Sequence, residues 1–303
     1  MSNARIHYNR GNALRRQGKD EQAIKEFEKA LSLDPSFWLA KKSIEFLNKY
    51  IEKKHISFGN LYESEEKLKE AVQEYKKAFD ANPHSWRTCK KIGFLYKELN
   101  ELDKASYYIK KAIKISPTTS TLYLLLGHVY DLQEKYPDAI ATYNMALRFS
   151  PQNKEILHHK KLTQKINVNK NILNSSGKSV AIYTDIASLF LEKNMSAKAI
   201  AILKKALHPF PDSQEIHFML GNMYYNLNDF ETAYRFYKKT LTHETTVIPL
   251  EEIHYNIAIA LASCERWKEA LKEWEQCIKL SPRSQAALRA KANLELFKKK
   301  CLL

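Results

Sequence analysis

The sequence predicts an all-α solenoid of about seven helix-turn-helix repeats closed by a C-terminal capping helix. Three observations lead there. Prolines recur at a fixed interval, small residues recur at fixed places ahead of them, and large apolar residues fall between at helical spacing. Pro83, Pro117 and Pro151 are 34 residues apart, and Pro35, Pro211 and Pro282 occupy the same point of three further units. Twelve residues before each proline stands Ala23, Ala71, Ala105, Ala139, Ala199 or Ala270, and a seventh unit keeps Ala233 without the proline.

Four residues after each alanine comes a large side chain: Phe27, Tyr75, Ile109, Tyr143, Leu203, Tyr237 or Trp274. Three further on comes Ala30, Ala78, Ala112, Ala146, Ala206, Thr240 or Cys277. The i, i+4, i+7 spacing is one face of a helix. A preceding helix carries Gly11, Gly59, Gly93, Gly127, Ala187, Gly221 or Ala258. Glycine costs a helix interior about 1 kcal/mol, so its repetition signals two antiparallel helices approaching closely. Three residues later Leu14, Tyr62, Tyr96, Tyr130, Phe190, Tyr224 or Leu261 fills the space beside that notch. The proline then ends the second helix.

This pattern resembles the tetratricopeptide repeat family, in units at 4–37, 52–85, 86–119, 120–153, 180–213, 214–247 and 251–284, roughly four fifths of the chain. The resemblance implies a right-handed α-α superhelix whose first helices line a concave face. The sequence departs from the family at the first-helix tryptophan, where His7, His55, Cys89, Tyr123, Tyr183, His217 and His254 stand. These are read as packing residues. Outside the units, 38–51 is predicted to extend the next first helix into a long rod, and 285–303 to form the capping helix. The stretch after residue 153 begins helically, then turns asparagine- and serine-rich, and 167–179 reads as a polar linker. The predicted organisation is an N-terminal block at 1–166, the linker, and a C-terminal block at 180–303.

Catalytic and cofactor chemistry finds no foothold. Five of the seven glycines sit at the close-approach position, Gly18 lies in a turn and Gly177 in the linker, so none remains for a phosphate-cradling loop. His158 and His159 are neighbours that a helix points about 100° apart, a poor joint metal site. Cys264 and Cys277 are read as a buried thiol pair that fills space. No catalytic residue, metal ligand or cofactor is predicted. Four cysteines without a C-x-x-C pair, and no apolar run near the roughly 20 residues of a membrane span, give the expectation of a cytoplasmic protein with reduced thiols.

The function read from the resemblance is a scaffold or adaptor that binds a peptide or helix of a partner protein in the concave groove. Carried over position by position, the groove takes Arg5, Tyr8, Asn12 and Arg15 from the first unit and Lys53 from the second. It takes Arg87, Lys90 and Phe94 from the third and His128, beside Asp131, from the fourth. From the last two come Phe218, Asn222, Tyr225 and Tyr255. The basic beginning and aromatic end imply a partner with acidic and apolar segments. The family's clamp for chaperone tails is incomplete here: Tyr8 stands where a lysine belongs and Ser57 where an asparagine does, although Asn12, Arg87 and Lys91 match. The net charge of +15 gathers in residues 1–151, with +7, 152–179, with +5, and 283–303, with +5. RNA or another polyanion is therefore the alternative partner.

Overall fold

A computed structural model describes residues 3–175, 178–241 and 247–301, the side chains of 298–301 excepted. Among the described residues every regular element is an α-helix, 16 in all. The chain forms two compact units, Met1–Thr163 and Gln164–Leu303. Unit 1 holds four antiparallel pairs: α1 (Asn3–Arg16) with α2 (Asp20–Leu33), α3 (Trp38–Ser64) with α4 (Leu68–Ala81), α5 (Trp86–Glu98) with α6 (Leu102–Ile115), and α7 (Ser120–Leu132) with α8 (Tyr136–Phe149). Helix α9 (Lys154–Ser175) gives its first half to unit 1 and its second to unit 2. Unit 2 continues with α10 (Val180–Glu192) and α11 (Ser196–Ala206), α12 (Gln214–Asn226) and α13 (Phe230–Thr240), and α14 (Leu250–Ser263) and α15 (Trp267–Leu280). It ends on α16 (Gln285–Cys301), which packs on both α14 and α15.

Seven turns of one design join the helices within the pairs. Gly18, Glu66, Asn100, Glu134, Asn194, Asn228 and Glu265 each adopt a positive φ between 57° and 73°. The next residue's N–H then reaches back to a carbonyl five residues earlier, as in Lys19 to Leu14, Lys67 to Tyr62 and Arg266 to Leu261. This satisfies an otherwise orphaned helix-end carbonyl and reverses the chain. The bonded carbonyls belong to Leu14, Tyr62, Tyr96, Tyr130, Phe190, Tyr224 and Leu261, so each large first-helix residue also marks its helix's last turn.

Between the paired helices all seven predicted alanines, Ala23 to Ala270, are fully buried. The notch at each glycine is filled by the second-helix side chain itself, not merely flanked by aromatics. A Cβ on Gly11 would lie 2.5 Å from Phe27, on Gly127 2.4 Å from Tyr143, and on Gly221 2.5 Å from Tyr237. Burying a ring of this size contributes about 1.5–3 kcal/mol, which outweighs the glycine's helix penalty.

Two expectations need correction. Residues 167–175, read as an irregular linker, continue α9. Asparagine costs a helix under about 0.7 kcal/mol, no glycine or proline interrupts the run before Gly177, and Leu162 and Ile166 are buried on one face; residues 176–177 lie outside the described residues. Cys264 and Cys277 do not form a buried pair, because Cys264 is only partly buried at the C-cap of α14. Burial pushes the thiols of Cys89 and Cys277 up to about 11, which keeps them protonated and unreactive at neutral pH.

Three histidines at the family's tryptophan position hydrogen-bond across their helix pair to a glutamate 19 residues on. His7 Nδ1 lies 2.7 Å from Glu26, and His55 and His254 lie 2.6 Å from Glu74 and Glu273. Lys29 and then His7 hold the Glu26 carboxyl below its ordinary value. Burial alone would raise Glu74, but bonds from Lys77 and His55 outweigh it. A carboxyl lowered on folding stabilises the fold above its unfolded value, near 4.5, and that stabilisation fades as pH falls through the lowered folded value. The Glu26→Gln/Glu74→Gln variant should therefore lose less stability than the parent between pH about 5 and about 3, measured as urea midpoints; parallel pH profiles would contradict this.

Candidate functional site

A cleft of unit 1 lies between α3 and α5. Its volume is about 550 Å³, and it is walled by Glu52, Ile56 and Asn60 of α3, the turn 82–85, and Trp86, Arg87, Thr88 and Lys91 of α5, with Tyr75 of α4 behind. Local chemistry fixes each wall. Ser85 caps α5 by accepting from the Thr88 N–H, and the Asn82 side chain donates to Glu52 at 2.9 Å. At the back, the Tyr75 hydroxyl donates to Asn60 at 2.6 Å and to Glu63 at 2.8 Å, while Lys91 Nζ lies 2.8 Å from Glu63. Burial would raise the Glu63 carboxyl, but these two donors hold it below its ordinary value. Burial, reinforced by Glu63, raises the Tyr75 hydroxyl well above the usual range, so it stays a donor.

Lys91, one of the cations matching the chaperone-tail clamp, is thus engaged by Glu63. Arg87 is the exposed cation of the cleft; it stacks 4.7 Å over the Trp86 ring and forms no ion pair among the described residues. The cleft therefore offers a cation beside apolar surface from Ile56 and Trp86. That combination takes a carboxylate next to an aromatic or aliphatic side chain.

The other predicted groove residues fall into two groups. Arg5, Arg15 and Lys53 are exposed, Asn12 and Lys90 are half-buried, and Phe94 is exposed with Lys97 4.7 Å over its ring. The remaining six are built into packing. Tyr8 lies 5.5 Å from Phe27 and 5.1 Å from Phe37. The His128 ring meets His159 of α9 at 4.3 Å, and Asp131 is buried beneath the same helix. Phe218 packs 5.7 Å from Tyr237, Tyr225 packs 5.2 Å from Phe230, and Asn222 accepts from the Tyr237 hydroxyl at 2.8 Å. Tyr255 is half-buried with Arg289 of the capping helix 5.9 Å over its ring. Position in the repeat predicts which way a side chain leaves its own helix; it does not register a neighbouring helix that covers it.

Sequence reading also missed features that carried a signal. The His–Glu pairs recur at a spacing of 19 in three units. The polar residues one or four places after the glycine, Asn60, Asp131 and Asn222, receive the hydroxyl of the tyrosine across the pair. Among the described residues no group of three or more His, Cys, Asp or Glu is placed to hold a metal, and no helix is long and apolar enough to cross a membrane.

Tetratricopeptide repeat models match residues 4–37 and, separately, 55–85, 87–119 and 120–153. The Iml2/Tetratricopeptide repeat protein 39 model matches residues 172–293. The chain belongs to the tetratricopeptide repeat family. Among curated relatives, this repeat protein is 24% identical over 188 residues to the BBSome complex member BBS4 of Bos taurus, covering 59% of this chain and 36% of that one. It is 25% identical over 208 residues to the anaphase-promoting complex subunit CDC16 of Saccharomyces cerevisiae, covering 62% of this chain and 24% of that one. The chain thus spans about a third and about a quarter of the length of these relatives. Among solved structures, the TPR domain of P58(IPK) is 16% identical, with a TM-score of 0.42, over 87% of this chain and 80% of that one.

Proposed function

We propose that this chain is a non-enzymatic scaffold that binds an acidic, aromatic or aliphatic peptide segment of a partner protein through the first-helix face of unit 1. The observation that carries the reading is the cleft between α3 and α5, where Arg87 stands beside Ile56 and Trp86. The two curated relatives support it as subunits of multiprotein complexes by name. An extended segment laid along such a face gains affinity from a few buried apolar anchors, while exposed charge chiefly accelerates the encounter.

The test is a display library of peptides pairing Asp or Glu with Phe, Trp or Leu, followed by kinetics on the selected binders. Arg87→Glu should slow association several-fold and weaken its salt dependence. Ile56→Ser should speed dissociation and cost about 1–2 kcal/mol. If both variants stay folded and bind like the parent, the cleft is not the site. Binding of RNA by the basic stretch 152–179, with the steep salt dependence of phosphate contacts, would instead establish the polyanion reading.

A further inference from the structure

Helix α3 serves two helix pairs. Its N-terminal half buries Ala40 and Leu47 in the cluster of Ala23 and Phe27, against the first pair. Its C-terminal half closes on α4 at Gly59, where a Cβ would lie 2.9 Å from Tyr75. The α1–α2 turn and the start of α2, residues 18–22, line a pocket with Ile51, Lys54 and His55, so the first pair ends at that level of α3. The 14 residues at 38–51 have moved the preceding pair about 21 Å along the rod from its place in the other repeats.

The displacement leaves a face uncovered. In the other repeats that follow a helix pair or the single helix α9, the residues one before and two after the close-approach position are buried: Ile92 and Leu95, Leu126 and Val129, Ile186 and Leu189, Leu220 and Met223, Ile257 and Ala260. In the first repeat they are Arg10 and Ala13, both exposed. In the second repeat they are Phe58 and Leu61, 43% and 51% exposed. The sequence thus keeps large apolar residues for a contact that the described residues do not make.

The same row identifies the chemistry of the missing contact. Four residues before Phe58 is Lys54, exposed and without an ion pair among the described residues. The equivalent residues elsewhere are Thr88, Leu122, Ile182, Ile216 and Ile253, all uncharged. One turn earlier stands Tyr50, 51% exposed. Tyr50, Lys54, Phe58 and Leu61 follow at i, i+4, i+8 and i+11, one ridge about 17 Å long.

We propose that this ridge docks an acidic amphipathic helix of a partner protein, in the place that a preceding repeat occupies elsewhere in the chain. The helix presents apolar residues at i, i+3 or i+4, and i+7 to Phe58 and Leu61, and a carboxylate to Lys54. A second copy of this chain fits poorly. The exposed apolar residues Leu288 and Leu296 lie on α16, where Arg289 and Lys291 would face Lys54 with like charge. A bilayer fits poorly too, because a single ridge bordered by the α1–α2 turn suits a helix rather than a plane. The proposal goes beyond the α3–α5 cleft and stands without it.

The test titrates a labelled synthetic helix of about four turns, with leucines at the stated spacing and glutamates on its flanks, into the full chain. Binding should weaken about tenfold or more in Phe58→Ser/Leu61→Ser, the scale of an interface hot spot. It should also weaken in Lys54→Glu, with a shallower salt dependence, and the ridge-dependent part of the binding should stay unchanged in Arg87→Glu. All four positions are exposed or outside the core, and circular dichroism checks that each variant is folded. Any of these results overturns the proposal: no binding, equal binding of a scrambled or lysine-flanked helix, loss in Arg87→Glu alone, or ridge-dependent binding of phosphatidylserine vesicles in place of the peptide. Loss in Arg87→Glu alone would leave the cleft reading standing. Concentration-dependent dimers abolished by the Phe58→Ser/Leu61→Ser change would show a second copy as the occupant and overturn it as well.

Discussion

Gly127→Val should destabilise the α7–α8 pair by about 3 kcal/mol or more, and Gly127→Ala by about 1–2 kcal/mol, although alanine is the better helix former. Two effects of opposite sign compete. Replacing a mid-helix glycine with alanine favours the helix by about 1 kcal/mol. The new Cβ, however, would stand 2.4 Å from Tyr143 Cε1 and 2.8 Å from its neighbours Cδ1 and Cζ, so the ring must retreat by about 1 Å to reach ordinary contact. It is poorly placed to do so. The side chain is fully buried, and its hydroxyl donates to Asp131 at 2.5 Å, which pins both ends of the ring. Valine adds two further methyl groups at the same spot. Gly18→Ala is the control: nothing lies within 4 Å of its Cβ, and only the φ of +73° penalises it, by about 1 kcal/mol. Amide-exchange protection of α7 and α8 reads the effect within the pair. If protection in the valine variant matches the parent, the two helices do not meet at this glycine.

The same geometry explains how much the sequence disclosed. Repeat boundaries, helix pairing and the buried alanines were legible because packing against the next helix imposes one pattern seven times. A side chain's burial by a non-repeating element was not. His128 and Asp131 occupy groove positions by register, but α9 lies over them. Tyr255 does too, but the capping helix reaches it. The polarity of 167–175 misled for a related reason: composition signals exposure, and an exposed helix face is as polar as a loop. Helix α3 shows the opposite case. Its length was readable from the apolar spacing of Ile44 and Leu47. That Phe58 and Leu61 lose their cover emerged only once the first pair was seen to stop near Lys54.

Asp131→Ala should cost about 2–4 kcal/mol, the scale of breaking a buried hydrogen-bond network, and should loosen the first half of α9 more than any exposed substitution. Asp131 is 1% exposed and accepts from the Tyr143 hydroxyl at 2.5 Å and from Thr163 Oγ1 at 2.9 Å. The two donors do not suffer equally when it is removed. Thr163 also donates to the His159 carbonyl at 2.9 Å within α9, so its hydroxyl keeps an acceptor. The Tyr143 hydroxyl loses its carboxylate in the protein interior, where burial still raises its pKa and keeps it protonated. Most of the cost therefore lies with the Tyr143 bond. A double-mutant cycle separates the terms. Asp131→Ala and Tyr143→Phe should couple by about 1.5–3 kcal/mol, the double variant being less damaged than the sum, because the second change removes the hydroxyl that has lost its carboxylate. Asp131→Ala with Thr163→Val should couple by less than about 1 kcal/mol. Coupling that is instead larger for Thr163, with little for Tyr143, would mean that Asp131 serves chiefly to fasten α9 and that the tyrosine bond adds little to the pair.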